Sequence, residues 1–349
     1  MIWSLALFSL ALSAAPARNP NVEEIFKRVE ALELQQQNKD AGEIRALDKK
    51  IEALTPQVLR LGFLAVAPLA AIAQDPKRSD KTRIWALNFL ALTHDPASLA
   101  PLKAVLDDAK APELCREAAA SAINSVDISA VSRRQALCDS AAKDLPPEAL
   151  REALYALKII GCDDPAVLER RAKEFGGKPD AKEAVLVDYA IDALGRSHPV
   201  ESARALWRVF AFFPKGSPQR LETLKQLLLQ SENLHVLGAV ALDKAKDALN
   251  SESDAPANAV AAANLLDSFN EPATANLFLR FLKNKDAEVA TRSAEALAHL
   301  REKKARNPIA DMVAHANDDP RFAPAANRPD PRELLARLQK ALDAINKLP

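Results

Sequence analysis

The chain has 349 residues, with 47 Lys plus Arg balanced by 47 Asp plus Glu, and only 8 glycines and 5% aromatic residues. That length exceeds what one compact core holds, so two domains or an extended array is expected, and the zero net charge argues against coating nucleic acid or an anionic membrane as a main task. Alanine and leucine dominate, which suits closely packed helices and excludes a sheet-rich fold.

The first residues, MIWSLALFSLALSAAPA, form an apolar run that ends at Arg18. The run is shorter than the roughly 20 apolar residues a membrane span needs. Ala15-Pro16-Ala17 offers small residues where a signal peptidase cuts, so residues 1–17 are expected to be a signal peptide and the mature chain periplasmic or secreted, with no membrane span. Only the terminal amine supplies positive charge ahead of the run, and an uncleaved anchor or a buried helix is the alternative. No cysteine follows it to carry a lipid.

Residues 18–54 read as an N-terminal helical cap. Val22, Ile25, Phe26, Val29 and Leu32 form one apolar stripe, and Ile44, Leu47, Ile51 and Leu54 a second. From Thr55 onward, Pro56, Pro96, Pro112, Pro147, Pro165, Pro179, Pro199, Pro218, Pro256, Pro272, Pro308 and Pro331 each stand where a helical stripe begins. Proline belongs in a first turn, where its missing N–H has no intrahelical partner. Asp95, Asp164, Ser217, Asn307 and Asp330 precede several of them as expected caps.

Ala67-Pro68-Leu69 followed by Ile72 and Asp75 matches Ala100-Pro101-Leu102 followed by Val105 and Asp108, 33 residues on. A basic residue then opens the next stripe, at Arg83, Arg116, Arg151, Lys182, Arg220 and Arg292. Such a period is one helix hairpin of a stacked array. After an opening half-repeat at 56–74, the spacing predicts pairs 82–93 with 96–107, 113–125 with 128–143, 147–160 with 165–175 and 180–195 with 199–213. It continues with 218–230 and 232–249, 256–268 and 272–284, and 287–301 and 308–315. The polar stretch 317–330 is then a linker, and 331–349 a capping helix whose apolar face is Leu334, Leu335, Leu338, Leu342 and Ile345.

Proline in one helix, aspartate at the turn and arginine early in the next resembles the HEAT-repeat, armadillo-like family over residues 55–316. The resemblance implies an all-α, right-handed α-solenoid of about seven stacked antiparallel helix pairs with helical caps at both ends. It also implies side-chain ladders between repeats at Asp75, Asp108, Arg83, Arg116 and Arg292, and a concave face lined by the second helix of each pair.

Cys115 and Cys138 lie about equally far from the turn near Val126-Asp127, each on an apolar stripe, so a Cys115–Cys138 disulfide is expected with Cys162 free in a turn. Three small buried thiols are the alternative.

The sequence contains no metal-ligand spacing, phosphate-cradling loop or Gly-x-Ser-x-Gly elbow, so no catalytic residue, cofactor or metal is expected. His94 and His198 read as cations closing helix C-termini. Recognition is the better prospect. On the helices drawn second, basic residues accumulate, and Arg133, Arg134, Arg170, Arg171, Arg204, Arg208 and Arg280 are the candidate partner-binding set, with Trp207. Acidic residues interleave with them, so a solvated helix surface is the plain alternative. LWRVFAFF (206–213) gathers Trp207, Phe210, Phe212 and Phe213, read chiefly as filling beside the irregular FPKGSP linker. The expected function is an exported, non-enzymatic scaffold or adaptor gripping an acidic protein or peptide segment on the concave face, without nucleic acid. The alternatives are an enzyme-associated HEAT-like module of lyase or modification-factor type with a small-molecule cleft and, less well matched, an all-helical toroid hydrolase.

Overall fold

The computed structural model describes residues 20–36, 39–177, 181–197, 200–324 and 329–348. The expected leader at 1–17 lies outside them, as do Pro179, His198 and Pro199. Every regular element among the described residues is helical. The chain divides into two compact units, Met1–Ala153 and Leu154–Pro349.

The first unit contains α1 (Pro20–Leu34), α2 (Ala41–Glu52), α3 (Thr55–Leu59), α4 (Val66–Gln74), α5 (Asp80–Leu92), α6 (Leu99–Asp107), α7 (Glu113–Ser125) and α8 (Ala130–Ala141). Helix α9 (Pro147–Ile160) begins in it and ends in the second unit. There follow α10 (Pro165–Gly176), α11 (Ala181–Arg196), α12 (Val200–Phe212), α13 (Pro218–Leu229), α14 (Ser231–Leu237) and α15 (Ala239–Ser251). The second unit closes with α16 (Pro256–Asp267), α17 (Ala275–Phe281), α18 (Ala287–His299), α19 (Arg306–Ala314) and α20 (Pro331–Asn346).

Helix starts follow the expected chemistry with two corrections. Asp95, Asp164, Ser217 and Asp330 each accept a backbone N–H of their own first turn, at 2.8–3.3 Å. Asn307 does not, because α19 is preceded by a 3₁₀ turn that Glu302 caps through the Lys304 N–H. Pro112 stands just outside α7 as its cap residue. Helices α4, α6 and α19 each follow a 3₁₀ turn and carry Pro68, Pro101 and Pro308 at their third position, where no intrahelical donor is lost.

The packing shifts the expected pairing by one helix. The closest hairpins are α4 with α5, α6 with α7, α10 with α11, α12 with α13, α15 with α16, α17 with α18 and α19 with α20, whereas α5 and α6 touch far less. The cause is local. Asp75 and Asp108 end α4 and α6 in extended conformation, each accepting from a backbone N–H two residues on at 2.9 Å. The next helix then returns its arginine to the carbonyls left open. Arg83 Nε donates to Ala73 O, Arg116 Nε to Leu106 O, both at 2.9 Å, and Arg220 Nε to Phe213 O at 2.8 Å. Arg116 also donates to Asp144 O at 2.8 Å, joining the end of α6 to the segment after α8.

Asp75, Asp108 and Arg83 thus lock hairpins, where the resemblance implied ladders between repeats, while Arg116 locks its hairpin and also reaches the next repeat. Arg292 does form a ladder. It pairs with Asp267 of α16 and Glu295 of its own helix, and Glu295 takes two bonds from Arg337 of α20, at 2.8 and 2.9 Å. The second helices α5, α7, α11, α13, α16, α18 and α20 form the layers these contacts run along in each unit. Buried alanines such as Ala259, Ala262, Ala290 and Ala294 let neighbouring helices approach closely there, which accounts for the composition.

Several second helices end in a residue of left-handed conformation: His94 (φ 54°), Gly161 (φ 76°), Asn270 (φ 48°) and Arg301 (φ 55°). His94 therefore closes its helix through its backbone, with an exposed ring 3.9 Å from Asp127. Gly161 tolerates no side chain, since a Cβ would stand 2.8 Å from Arg196 O. Helix α20 buries Leu334, Leu338, Leu342 and Ile345 against α18 and α19, with Leu335 half-buried. The stretch leading to it is anchored by Arg321, which donates to Leu282 O and Asn284 O at 3.0 Å.

The expected disulfide is corrected by the same register. Cys115 faces α5, with Sγ 3.8 Å from Asp80 O, and is a free, buried thiol. Cys138 and Cys162 are the disulfide-bonded cysteines.

The hairpin lock has a measurable weight. Arg116→Met should lower unfolding free energy in urea by about 2–3 kcal/mol, since it strips a charged donor from two buried carbonyls. Arg151→Met, whose nearest carboxylate partners are on the surface at 3.4 and 3.6 Å, should change it by no more than about 0.5 kcal/mol.

Candidate functional site

With the pairing shifted, Arg133, Arg134, Arg170, Arg171, Arg204, Arg208 and Arg280 stand on first helices, α8, α10, α12 and α17. The concave face that the resemblance assigns to second helices therefore no longer includes them. In the first unit, Arg133 and Arg134 are half-buried, and Arg133 donates to Asn124 O at 2.8 Å. In the second unit, Arg171 is buried with its guanidinium on Glu174 at 2.6 Å, so it leaves the accessible set. Arg170 is exposed. Arg280, also exposed, reaches Asn250.

Arg204, Trp207 and Arg208 are brought together. They line one wall of a pocket of about 210 Å³ whose other wall is Leu237, Val240, Ala241 and Lys244. A second pocket of about 260 Å³ shares Trp207 and Lys244 and continues past Phe210, Ala211, Lys215, Arg220, Asp247, Ala248 and Ser251. Together they make a groove between α12 on one side and α14 and α15 on the other.

Its floor is aromatic. Trp207 and Phe210 are buried and meet edge to face with centroids 5.9 Å apart. Phe213 is buried under Gly176, while Phe212 is exposed, so the LWRVFAFF stretch is largely core filling with Trp207 and Phe210 at the groove. The Trp207 indole N–H is buried without an acceptor among the described residues. Val240, in the same pocket, stands 62% exposed.

The rim is basic. Arg208 makes a two-pronged bond to Glu169 of α10, at 2.9 and 2.6 Å, and Glu169 also binds Lys173 at 2.7 Å. Those two cations hold the Glu169 carboxyl below its usual range despite its burial. Arg204 pairs with exposed Glu201 at 2.9 Å. Lys215 and Lys244 have no carboxylate partner among the described residues; the Lys244 amine lies 5.9 Å from the Trp207 ring.

Two features that sequence reasoning missed shape this groove. Helix 232–249 was expected to be continuous, but Gly238 (φ 54°, ψ −129°) breaks it into α14 and α15. Only glycine adopts that conformation readily, and the break places Leu237 and Val240 on the same wall. The glycine inside "HVLGAV" was the available signal. Beneath the second pocket, Arg220 pairs with Glu252, whose side chain is wholly buried. Glu252 Oε2 also accepts from the Gly216 N–H at 2.8 Å and from Asn258 Nδ2 at 3.1 Å, and the guanidinium lies over the Phe210 ring at 4.5 Å. Every charge in the cluster is partnered, which is what makes its burial tolerable. It fastens the FPKGSP linker to α13, α15 and α16.

The second-helix layer carries a strained acidic group instead. Gln226 of α13 donates to Asp192 of α11 at 3.0 Å and to Glu222 at 2.9 Å. Burial and the neighbouring Glu222 carboxylate push Asp192 up to about 6, against the opposing charge of Lys158. That lysine lies over the Tyr155 and Tyr189 rings, 4.7 and 4.5 Å from their centroids. No group of three or more His, Cys, Asp or Glu is arranged to hold a metal ion among the described residues. Nor is any of their helices long and apolar enough to cross a membrane.

No protein-family model and no curated protein matches the chain. Among solved structures, the HEAT-repeat protein Kap121p, in a crystal structure bound to Pho4p, aligns with 94% of this chain at 14% identity and a TM-score of 0.57; the chain spans 38% of Kap121p. The YIBA_ECOLI protein covers 85% of this chain over 97% of its own at 12% identity and TM-score 0.40. Human deoxyhypusine hydroxylase in complex with glycerol covers 85% over 100% of its own at 18% and 0.30. The last two superpose too loosely to add to the first. The chain thus has an all-α, HEAT-like solenoid fold, in keeping with its proline, aspartate and arginine pattern.

Glu252→Ala should cost about 3–5 kcal/mol in urea unfolding, because it leaves Arg220 buried and unpaired. The folded pKa of Asp192 lies above its unfolded value, so its charge opposes folding at neutral pH and ceases to do so as pH falls through about 6. Stability should therefore rise by about 1 kcal/mol between pH 7.5 and 5.5, allowing for solvent screening. Asp192→Asn should gain that increment at pH 7.5 and flatten the profile.

Proposed function

We propose that the protein is an exported, non-enzymatic scaffold that binds a protein or peptide partner along the first-helix layer of its second unit. The observation that carries this reading is the groove itself, an aromatic floor beside the exposed Val240 and two lysines, Lys215 and Lys244, that have no carboxylate partner among the described residues. A monomer's surface rarely leaves apolar and charged groups so arranged without an occupant. The fold supports it, since stacked helix pairs present long, semi-rigid binding surfaces, and Kap121p binds Pho4p on such a framework. Export is supported by the apolar run at residues 1–17 and by the disulfide-bonded Cys138 and Cys162, which suit an oxidising compartment. Arg170, Arg204 and Arg208 extend the same layer with positive charge, while Arg280 lies further along it.

Photo-crosslinking residues placed at Arg204 and Val240 should yield one discrete adduct in envelope extracts of the source organism. The same group at Lys225, on the second-helix layer, should yield none. Equal labelling at all three positions would remove the groove from the binding role. Expressed in full, the protein should begin at Arg18 and fractionate outside the cytoplasm; a cytoplasmic chain retaining Met1 would overturn export.

A further inference from the structure

We infer that the groove's occupant is an acidic protein segment in which Asp or Glu flanks a large apolar side chain; this rests on the protein-binding reading above and specifies its partner. Three observations select that chemistry. The two adjoining pockets, about 210 and 260 Å³, are joined end to end through Trp207 and Lys244 into one elongated surface groove. A row of side-chain-sized hollows fits a segment of polypeptide.

The charge lining them is lopsided. Arg204, Arg208, Lys215 and Lys244 face Asp247 alone at the surface, with Arg220 neutralised beneath by Glu252. Arg204 and Arg208 already have carboxylates of this chain, whereas Lys215 and Lys244 have none among the described residues. They are the cations left for a ligand's carboxylates.

The apolar requirement comes from the α14–α15 wall, where Val240 is largely exposed and Leu237 lines the same pocket as Trp207. An anionic polymer without apolar groups would leave these uncovered.

The test is selection of a random 12-residue peptide library displayed on phage against the full chain, with Lys215→Glu/Lys244→Glu selected in parallel. Peptides enriched on the native chain should carry Asp or Glu next to Phe, Trp or Leu. Synthesised with a fluorophore, the leading peptide should bind at least tenfold more weakly to the double variant by anisotropy. It should weaken similarly when its carboxylates become amides or its apolar residue becomes glycine, and polyglutamate should not displace it. Circular dichroism should be the same for both proteins, since neither lysine supports the fold. Enriched peptides that lack carboxylates, or that bind the double variant equally, would overturn this inference while leaving a peptide-binding scaffold in place. Displacement by polyglutamate would replace the segment with a plain polyanion. No enrichment on the native chain would overturn both readings.

Discussion

The hairpins α4–α5, α6–α7 and α12–α13 depend on closing the open end of their first helix. An α-helix leaves its last carbonyls without partners, and between stacked helices water cannot reach them freely. Here an arginine from the following helix bends back to fill that need, at Arg83, Arg116 and Arg220. One side chain thereby ends a helix, sets the hairpin angle and commits which two helices form a pair. Asp75 and Asp108 act with it by stopping the first helix in an extended conformation two residues after the carbonyl that the arginine takes.

The groove arises where that regular scheme is disturbed. At Arg220 the lock recruits a buried partner, Glu252, and through it the linker at Gly216 and the start of α16 at Asn258. The extra connections hold a longer, irregular crossing in place. Gly238 breaks the helix that follows, so one wall of the groove is made of two short helices set at different angles. Trp207 and Phe210 fill the space beneath. A regular repeat would bury that space in a continuous helix face.

Charge use separates the two layers of the second unit. Along the second helices, Asp267, Arg292, Glu295 and Arg337 alternate and satisfy one another, which fits a structural ladder. Along the first helices, Glu169 gathers Arg208 and Lys173, but Lys244 beside the exposed Val240, and Lys215 in the linker after α12, have no carboxylate partner among the described residues. The unused charge and the unused apolar surface coincide at one place, and that coincidence gives the surface its functional interest.

Much of this was legible in the residues. Proline positions, the 33-residue recurrence of Pro68 and Pro101, and the caps at Asp95, Asp164, Ser217 and Asp330 determine where helices start, because these effects act within one turn. The all-helical repeat architecture follows from them, as does the placement of Trp207 and Arg208 on one helix. Tertiary structure alone decided which neighbours pair, that Cys115 faces α5 and remains free, and that Arg171 is buried while Lys215 lines a pocket with Trp207. Helix periodicity specifies an apolar stripe but not which of two flanking helices it meets; that choice is made by side chains such as Arg83 and Arg116 reaching carbonyls ten residues away in sequence.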